Sequence, residues 1–294
     1  MSSKPALLDV VQEYIHAQTT RLPVFNRTGL VIQQEMSKPE PSFQVLEREI
    51  SRDQALTSQL LRTANSAFYR GMRPISTIRD AILRLGTEEV ANIVSMLTQQ
   101  ELFRTNDPFL RRYMNDLWLH SVCCASGTYW LTKRLKMPSE TPKAFFAGLL
   151  HDVGKLFLLR VIEELQRSKK IDMAMTPEFL QELIANQHAA QGYELMQHWN
   201  IPKEYCVVAR DHHLESFDVN DTLLALVRLA NAACAKLGIG LHQDDNIDLA
   251  SCKEAMILDI SEVKLAELEI RLEDTLSFLN ANLESPATVQ QEES

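Results

Sequence analysis

The 294-residue chain is 45% hydrophobic and 23% charged, which supplies enough apolar material for one large domain or two modest ones. Its 30 basic residues stand against 39 acidic ones, a net charge of −9, which argues against attraction of the whole surface to nucleic acid or anionic lipid. No apolar run of membrane-spanning length occurs, and the start, Met-Ser-Ser-Lys-Pro, lacks a hydrophobic signal core, so the expected location is cytoplasmic.

In chain order, Leu7 to Gln18 has the pattern of an amphipathic helix, and a further helical run reaches Glu35 before the break at Ser37-Lys-Pro-Glu-Pro-Ser42. Helical periodicity resumes at Phe43, and Leu56, Leu60, Leu61, Ala64 and Phe68 share one face of the stretch that runs to Tyr69. After a turn at Gly71–Pro74, Thr77 and Asp80 have capping-box spacing ahead of Ile78, Ala81, Ile82 and Leu85, with Gly86 as the stop. Between Ser51 and Gly86 lie six arginines, Arg52, Arg62, Arg70, Arg73, Arg79 and Arg84, and only two acids. This basic island in an acidic protein suits a phosphate or an acidic partner, with Arg62, Arg70, Arg73, Arg79 and Arg84 as the contact residues. Solvated helix faces are the plainer reading, and DNA binding has little support because no recognition helix is identifiable.

Ala147-Gly-Leu-Leu-His-Asp-Val-Gly-Lys155 organises the rest. With Thr141 as its N-cap and Pro142 at the first helical position, an apolar helix would place His151 and Asp152 side by side, with Gly154 relaxing or ending it so that the two side chains converge. Imidazole and carboxylate are a natural ligand pair for a divalent cation. A hydrogen-bonded pair at a helix end is the alternative. Elsewhere, His120 shares a face with Tyr113, Leu117 and Cys124, and His188 falls on the apolar side of its helix. His212 is the better inward candidate of the pair His212-His213, and Asn231 lies on the inner side of the helix from Asp221 to Gly238. A single inward histidine is usually a satisfied core residue. Several on separate helices are better explained by a shared cluster or a metal, because each unpaired buried polar group costs roughly 1–3 kcal/mol. The five cysteines contain no C-x-x-C pair and read as reduced core residues.

Asp53-Gln-Ala-Leu-Thr-Ser-Gln-Leu-Leu-Arg-Thr-Ala-Asn-Ser-Ala-Phe-Tyr69 and Ile75-Ser-Thr-Ile-Arg-Asp-Ala-Ile-Leu-Arg-Leu-Gly86 resemble the N-terminal signature of the HDOD family, a bacterial signalling module related to the HD metal-dependent phosphohydrolases. The resemblance continues through Leu117-Trp-Leu-His120, Ala147–Leu156, His188-Ala-Ala-Gln-Gly192, His198–Pro202, His212-His213 and Leu226–Asn231, covering about Leu22 to Leu237. It implies that His120, His151 and Asp152 match three ligands of the HD metal site. Asn231 stands where that site has a distal aspartate, and His188, His212 and His213 are similar to the further histidines of HD-GYP phosphodiesterases. No Gly-Tyr-Pro follows His213, so that activity is not carried over. Lys155 resembles the family lysine beside the pair, a phosphate contact, with snorkelling to the surface as the bland alternative.

The expected architecture is all-α: an N-terminal helical subdomain (1–108) packed on an HD-like bundle (109–240), then a C-terminal helical extension (241–283) and a disordered tail (284–294). The expected role is a non-catalytic regulatory module in bacterial signal transduction that binds a signalling protein or a small ligand, with no membrane contact and a homodimer left open. The alternative is a metal-dependent phosphohydrolase of a nucleotide or other phosphoester. No cofactor is certain, and the candidates are Fe, Mn, Zn or Mg held by His120, His151, Asp152, His188, His212, His213 and Asn231.

Overall fold

Helix punctuation in this chain is local and strong. The computed structural model describes residues 13, 26–38, 40–69, 71, 73–169 and 176–282. Within these, Asn26 caps α1 (Arg27–Met36) by accepting from the amides of Thr28 and Gly29. After α2 (Phe43–Ser51), Asp53 accepts from the Leu56 amide and starts α3 (Gln54–Ala64). Thr77 caps α4 (Ile78–Leu85) through the Asp80 amide, and Gly86 at φ +88° turns the chain directly into α5 (Thr87–Gln100). Most of the Leu7–Gln18 stretch, Arg70 and the tail from 283 lie outside the described residues.

The long helix α6 (Pro108–Arg134) has Asp107 as its cap and Pro108 in its first turn. It forms the axis of the second half, with α7 (Thr141–Leu150), α11 (Thr222–Lys236) and α13 (Glu262–Asn282) packed along it. Against these lie α8 (Val153–Arg167), α9 (Pro177–His198) and α10 (Lys203–Asp211), while the short α12 (Lys253–Ile257) leads into α13. No strand occurs among the described residues, so the architecture is all-α as the sequence leads one to expect. A continuous apolar core runs from Ile32 in α1 to Leu279 in α13. No helix among the described residues is long and apolar enough to cross a membrane.

One local expectation is corrected. Ala147–Lys155 is not one helix: α7 ends at Leu150, and α8 begins at Val153 with Asp152 in the N-cap position. Thr141 is the first residue of α7 rather than its cap, and its hydroxyl bonds back to the Met137 carbonyl. Gly154 lies inside the first turn of α8. A Cβ there would stand 1.9 Å from the His188 carbonyl oxygen, so the glycine serves close packing of α8 on α9.

Candidate metal centre

Four histidines are fixed in the same way. His120 on α6, His151 after α7, His188 on α9 and His212 after α10 direct Nδ1 at backbone carbonyls of Ile239 (2.9 Å), Gly148 (2.7 Å), Ile184 (2.7 Å) and Ala209 (2.9 Å). A carbonyl only accepts, so each Nδ1 carries the proton, and in the neutral ring each Nε2 presents a lone pair. This is how ligating histidines are commonly oriented by their outer partners. Gly240, at φ +121°, brings the Ile239 loop against the His120 ring; a Cβ there would lie 2.9 Å from His120 Nδ1.

The four Nε2 atoms surround Asp152. Its side chain makes no cap bond to α8 and is turned into the core instead. Oδ2 lies 3.2 Å from His120 Nε2 and 3.3 Å from His151 Nε2, and these two nitrogens are 3.2 Å apart. Oδ1 lies 3.2 Å from His212 Nε2 and 3.7 Å from His188 Nε2. The ligand atoms fall into two groups that share the aspartate: His120, His151 and Asp152, and Asp152, His188, His212 and His213. His120, at 6% exposure, is the most accessible of the five that lie buried, whereas His213 is exposed.

Lys155 places its ammonium 2.7 Å from Asp152 Oδ2. Burial opposes ionisation of Asp152, but Lys155 and the histidines outweigh it and hold the carboxyl well below the usual range. Burial also opposes charge on His151, yet Cys124 and Asp152 raise it above the ordinary imidazole value. For the others burial prevails: His120 and His188 are lowered, and His212 falls to about 4. Asp152 Oδ1 and the Nε2 atoms of His188 and His212 are buried without a hydrogen-bond partner. Imidazole nitrogens that converge on a carboxylate, two of them unpartnered, fit a divalent cation, which would satisfy them together.

The structure therefore brings together His120, His151, Asp152, His188, His212, His213 and Lys155. Asn231 is half-buried on α11, and among the described residues no hydrogen bond ties it to the cluster. The arginine island is partly committed elsewhere. Arg79 pairs with Glu47 and lies over the Phe43 ring, and Arg84 bonds the carbonyls of Ala64 and Arg73. Arg62 and Arg73 are exposed.

Arg228 escaped the sequence analysis. Its Nη1 bonds the carbonyls of Asp211 (3.3 Å), His212 (2.8 Å) and Leu214 (2.9 Å), its Nε pairs with Glu254, and the guanidinium lies over Phe217. It pins the turn that carries His212 and His213. The signal was available: it is the only charged residue in the apolar run Leu223–Cys234.

The model of the HDOD domain family matches residues 22–215. An uncharacterised protein of Treponema pallidum is 24% identical over 218 residues, 68% of this chain but 41% of that protein, so the chain spans less than half of its relative's length. Among solved structures, an HDOD domain protein of unknown function from Geobacter sulfurreducens aligns with TM-score 0.75 at 22% identity, covering 94% of this chain and 98% of its own. A Shewanella amazonensis protein titled as a candidate metal-dependent phosphohydrolase aligns with TM-score 0.67 at 19% identity, over 95% and 98% of the two chains. A Marinobacter aquaeolei protein titled as a candidate signal transduction protein has TM-score 0.67 at 20% identity, over 95% of this chain and 68% of its own. At these identities the structures speak for the fold, and the family match over most of the chain assigns membership: this chain belongs to the HDOD family.

Proposed function

We propose that the chain is a non-hydrolytic regulatory module of signal transduction, which recognises a partner protein or small ligand and holds a divalent cation in its core as a structural element. The observation that carries this is closure of the cluster: Asp152 and His151 are each 1% exposed, His212 2%, His188 5% and His120 6%. Metal-assisted phosphoester hydrolysis needs an open coordination position that substrate can reach. Here Asp152 is enclosed by four imidazoles and an ammonium, and the family resemblance puts the uncharged Asn231 where an HD site has its distal acid. When bound, a cation in this setting would supply Lewis acidity. The residues themselves exclude bulk water, fix the Nε2 lone pairs through their Nδ1 bonds, and balance the carboxylate with Lys155.

Hydrolysis of a nucleotide or other phosphoester is the second reading, and one observation favours it: exposed His213 and the 16% exposed Lys155 side chain give the cluster an outward margin. The test is an assay of protein loaded in turn with zinc, manganese and iron, against bis(p-nitrophenyl) phosphate and cyclic dinucleotides, beside Asp152→Ala. Equal, background rates for both proteins are expected. Turnover in the wild type that Asp152→Ala abolishes would overturn the regulatory reading in favour of the phosphohydrolase.

A further inference from the structure

The two oxygens of Asp152 do not have equivalent surroundings. On the Oδ2 side the Lys155 ammonium is already in contact at 2.7 Å, and His120 and His151 turn their Nε2 atoms towards each other at 3.2 Å. A metal ion there would have to share an oxygen with a positive charge at contact distance. On the Oδ1 side no cationic side chain is paired with the oxygen among the described residues. What faces it are the Nε2 atoms of His212 at 3.2 Å and His188 at 3.7 Å, and all three atoms are buried without a hydrogen-bond partner. His213 completes that group, its ring 4.1 Å from that of His212 and 5.0 Å from that of His188, with its outer side open to solvent as an access route.

Resting on the reading that the core holds a cation, we propose that a single divalent ion sits on the Oδ1 side of Asp152, held with His188, His212 and His213, while Lys155 takes the place of a second ion on the Oδ2 side. The spacing suits it. A tetrahedral ion with ligand bonds near 2.1 Å separates its ligand atoms by about 3.4 Å, a value between the two observed Oδ1 distances. Three imidazoles and one carboxylate favour Zn²⁺ or Fe²⁺ over Mg²⁺, which takes oxygen ligands and keeps water. The geometry is held from outside by the Nδ1 bonds of His188 and His212 and by the Arg228 bonds to the His212 turn. The Lys155 stem on α8 reaches Asp152 from only three residues away, so the built-in cation is part of the same turn as the ligand it neutralises.

The test is metal stoichiometry and affinity, measured with Zn²⁺ against a chromophoric chelator and with Co²⁺ by its visible absorption, on the full chain and on variants whose far-UV circular dichroism matches the wild type. One ion per chain is expected. His188→Gln and His212→Gln should each weaken binding at least 100-fold, whereas His120→Gln should change it less than threefold. Lys155→Met should admit a second ion. If the buried variants do not fold, His213→Gln carries the test, with at least tenfold weakening expected. Two ions in the wild type, one ion that survives His188→Gln but not His120→Gln, or unchanged affinity in His213→Gln would each overturn the assignment. Failure to bind Zn²⁺ or Co²⁺ at all would overturn it together with the cation in the reading above. Turnover with one ion on the Oδ1 side would overturn only the non-hydrolytic role.

Discussion

Gly154 is where the scaffold of the site leaves least room. An added methyl would meet the His188 carbonyl oxygen at 1.9 Å, its carbon at 2.8 Å and the Gly192 nitrogen at 2.7 Å, all backbone atoms that cannot rotate away. Gly154→Ala therefore has to push α8 from α9, and α9 carries His188. Overpacking against side chains costs roughly 1–3 kcal/mol; against backbone at this distance the expected loss is at least about 3 kcal/mol in urea unfolding. A loss under 1 kcal/mol would show that the two helices slide apart freely. The glycine was visible in the sequence, but its reason was not. Leu149, Leu150, Val153 and Leu156 keep an apolar pattern running through His151 and Asp152, so periodicity cannot reveal that one helix stops and another starts there. The partner that demands a glycine is His188, more than thirty residues away, and local patterning carries no information about it. The inward histidines were legible for the opposite reason: a polar residue on an apolar face is itself the signal.

Elements are joined by polar staples that the sequence leaves anonymous. Glu35, 5% exposed at the end of α1, accepts from the Ser42 amide before α2 at 2.8 Å and pairs with Lys38 at 2.6 Å. The hydrogen bond from Lys38, with that from Ser42 next, lowers its pKa below the ordinary 4.5 against the opposing effect of burial. Because the native value is the lower one, the unfolded chain takes up the proton first as pH falls. The stabilisation is whole above pH 4.5 and is lost on acidification through the native value. Glu35→Gln keeps the shape and removes the charge. It should cost about 1 kcal/mol at neutral pH, and the difference from the wild type should shrink below pH 4.5. A gap that is constant with pH in denaturant titrations would mean that the carboxylate is not the staple. Caps such as Asp53, Thr77 and Asp107 act within a few residues and mark their helices in the sequence. Glu35 acts across a break and looks like any surface glutamate.

At the scale of the molecule, the family match ends at residue 215 while the core does not. Beyond that point α11 buries Leu224, Leu226, Val227 and Leu229, each at most 1% exposed, and α13 buries Leu268 and Leu272 completely. Both helices cover α6, where Cys123, Cys124 and Ala125 are fully buried beneath them and a Cβ at Gly127 would lie 2.9 Å from the Leu272 side chain. The sequence marks the C-terminal stretch as a helical extension without saying what it packs against. Only the three-dimensional path places it on α6. Burying a leucine-sized side chain is worth about 1.5–3 kcal/mol, so losing six approaches or exceeds the roughly 5–15 kcal/mol by which a domain is typically stable. The same cut removes the Ile239 carbonyl that orients His120 and the Arg228 bonds that hold the His212 turn. A chain ending at residue 215 should therefore bind a hydrophobic dye and melt without a cooperative transition, whereas one ending at residue 282 should melt like the whole protein. Cooperative melting of the shorter chain would mean that the family's matched region is a folding unit by itself, with α11 and α13 as later additions to a finished core.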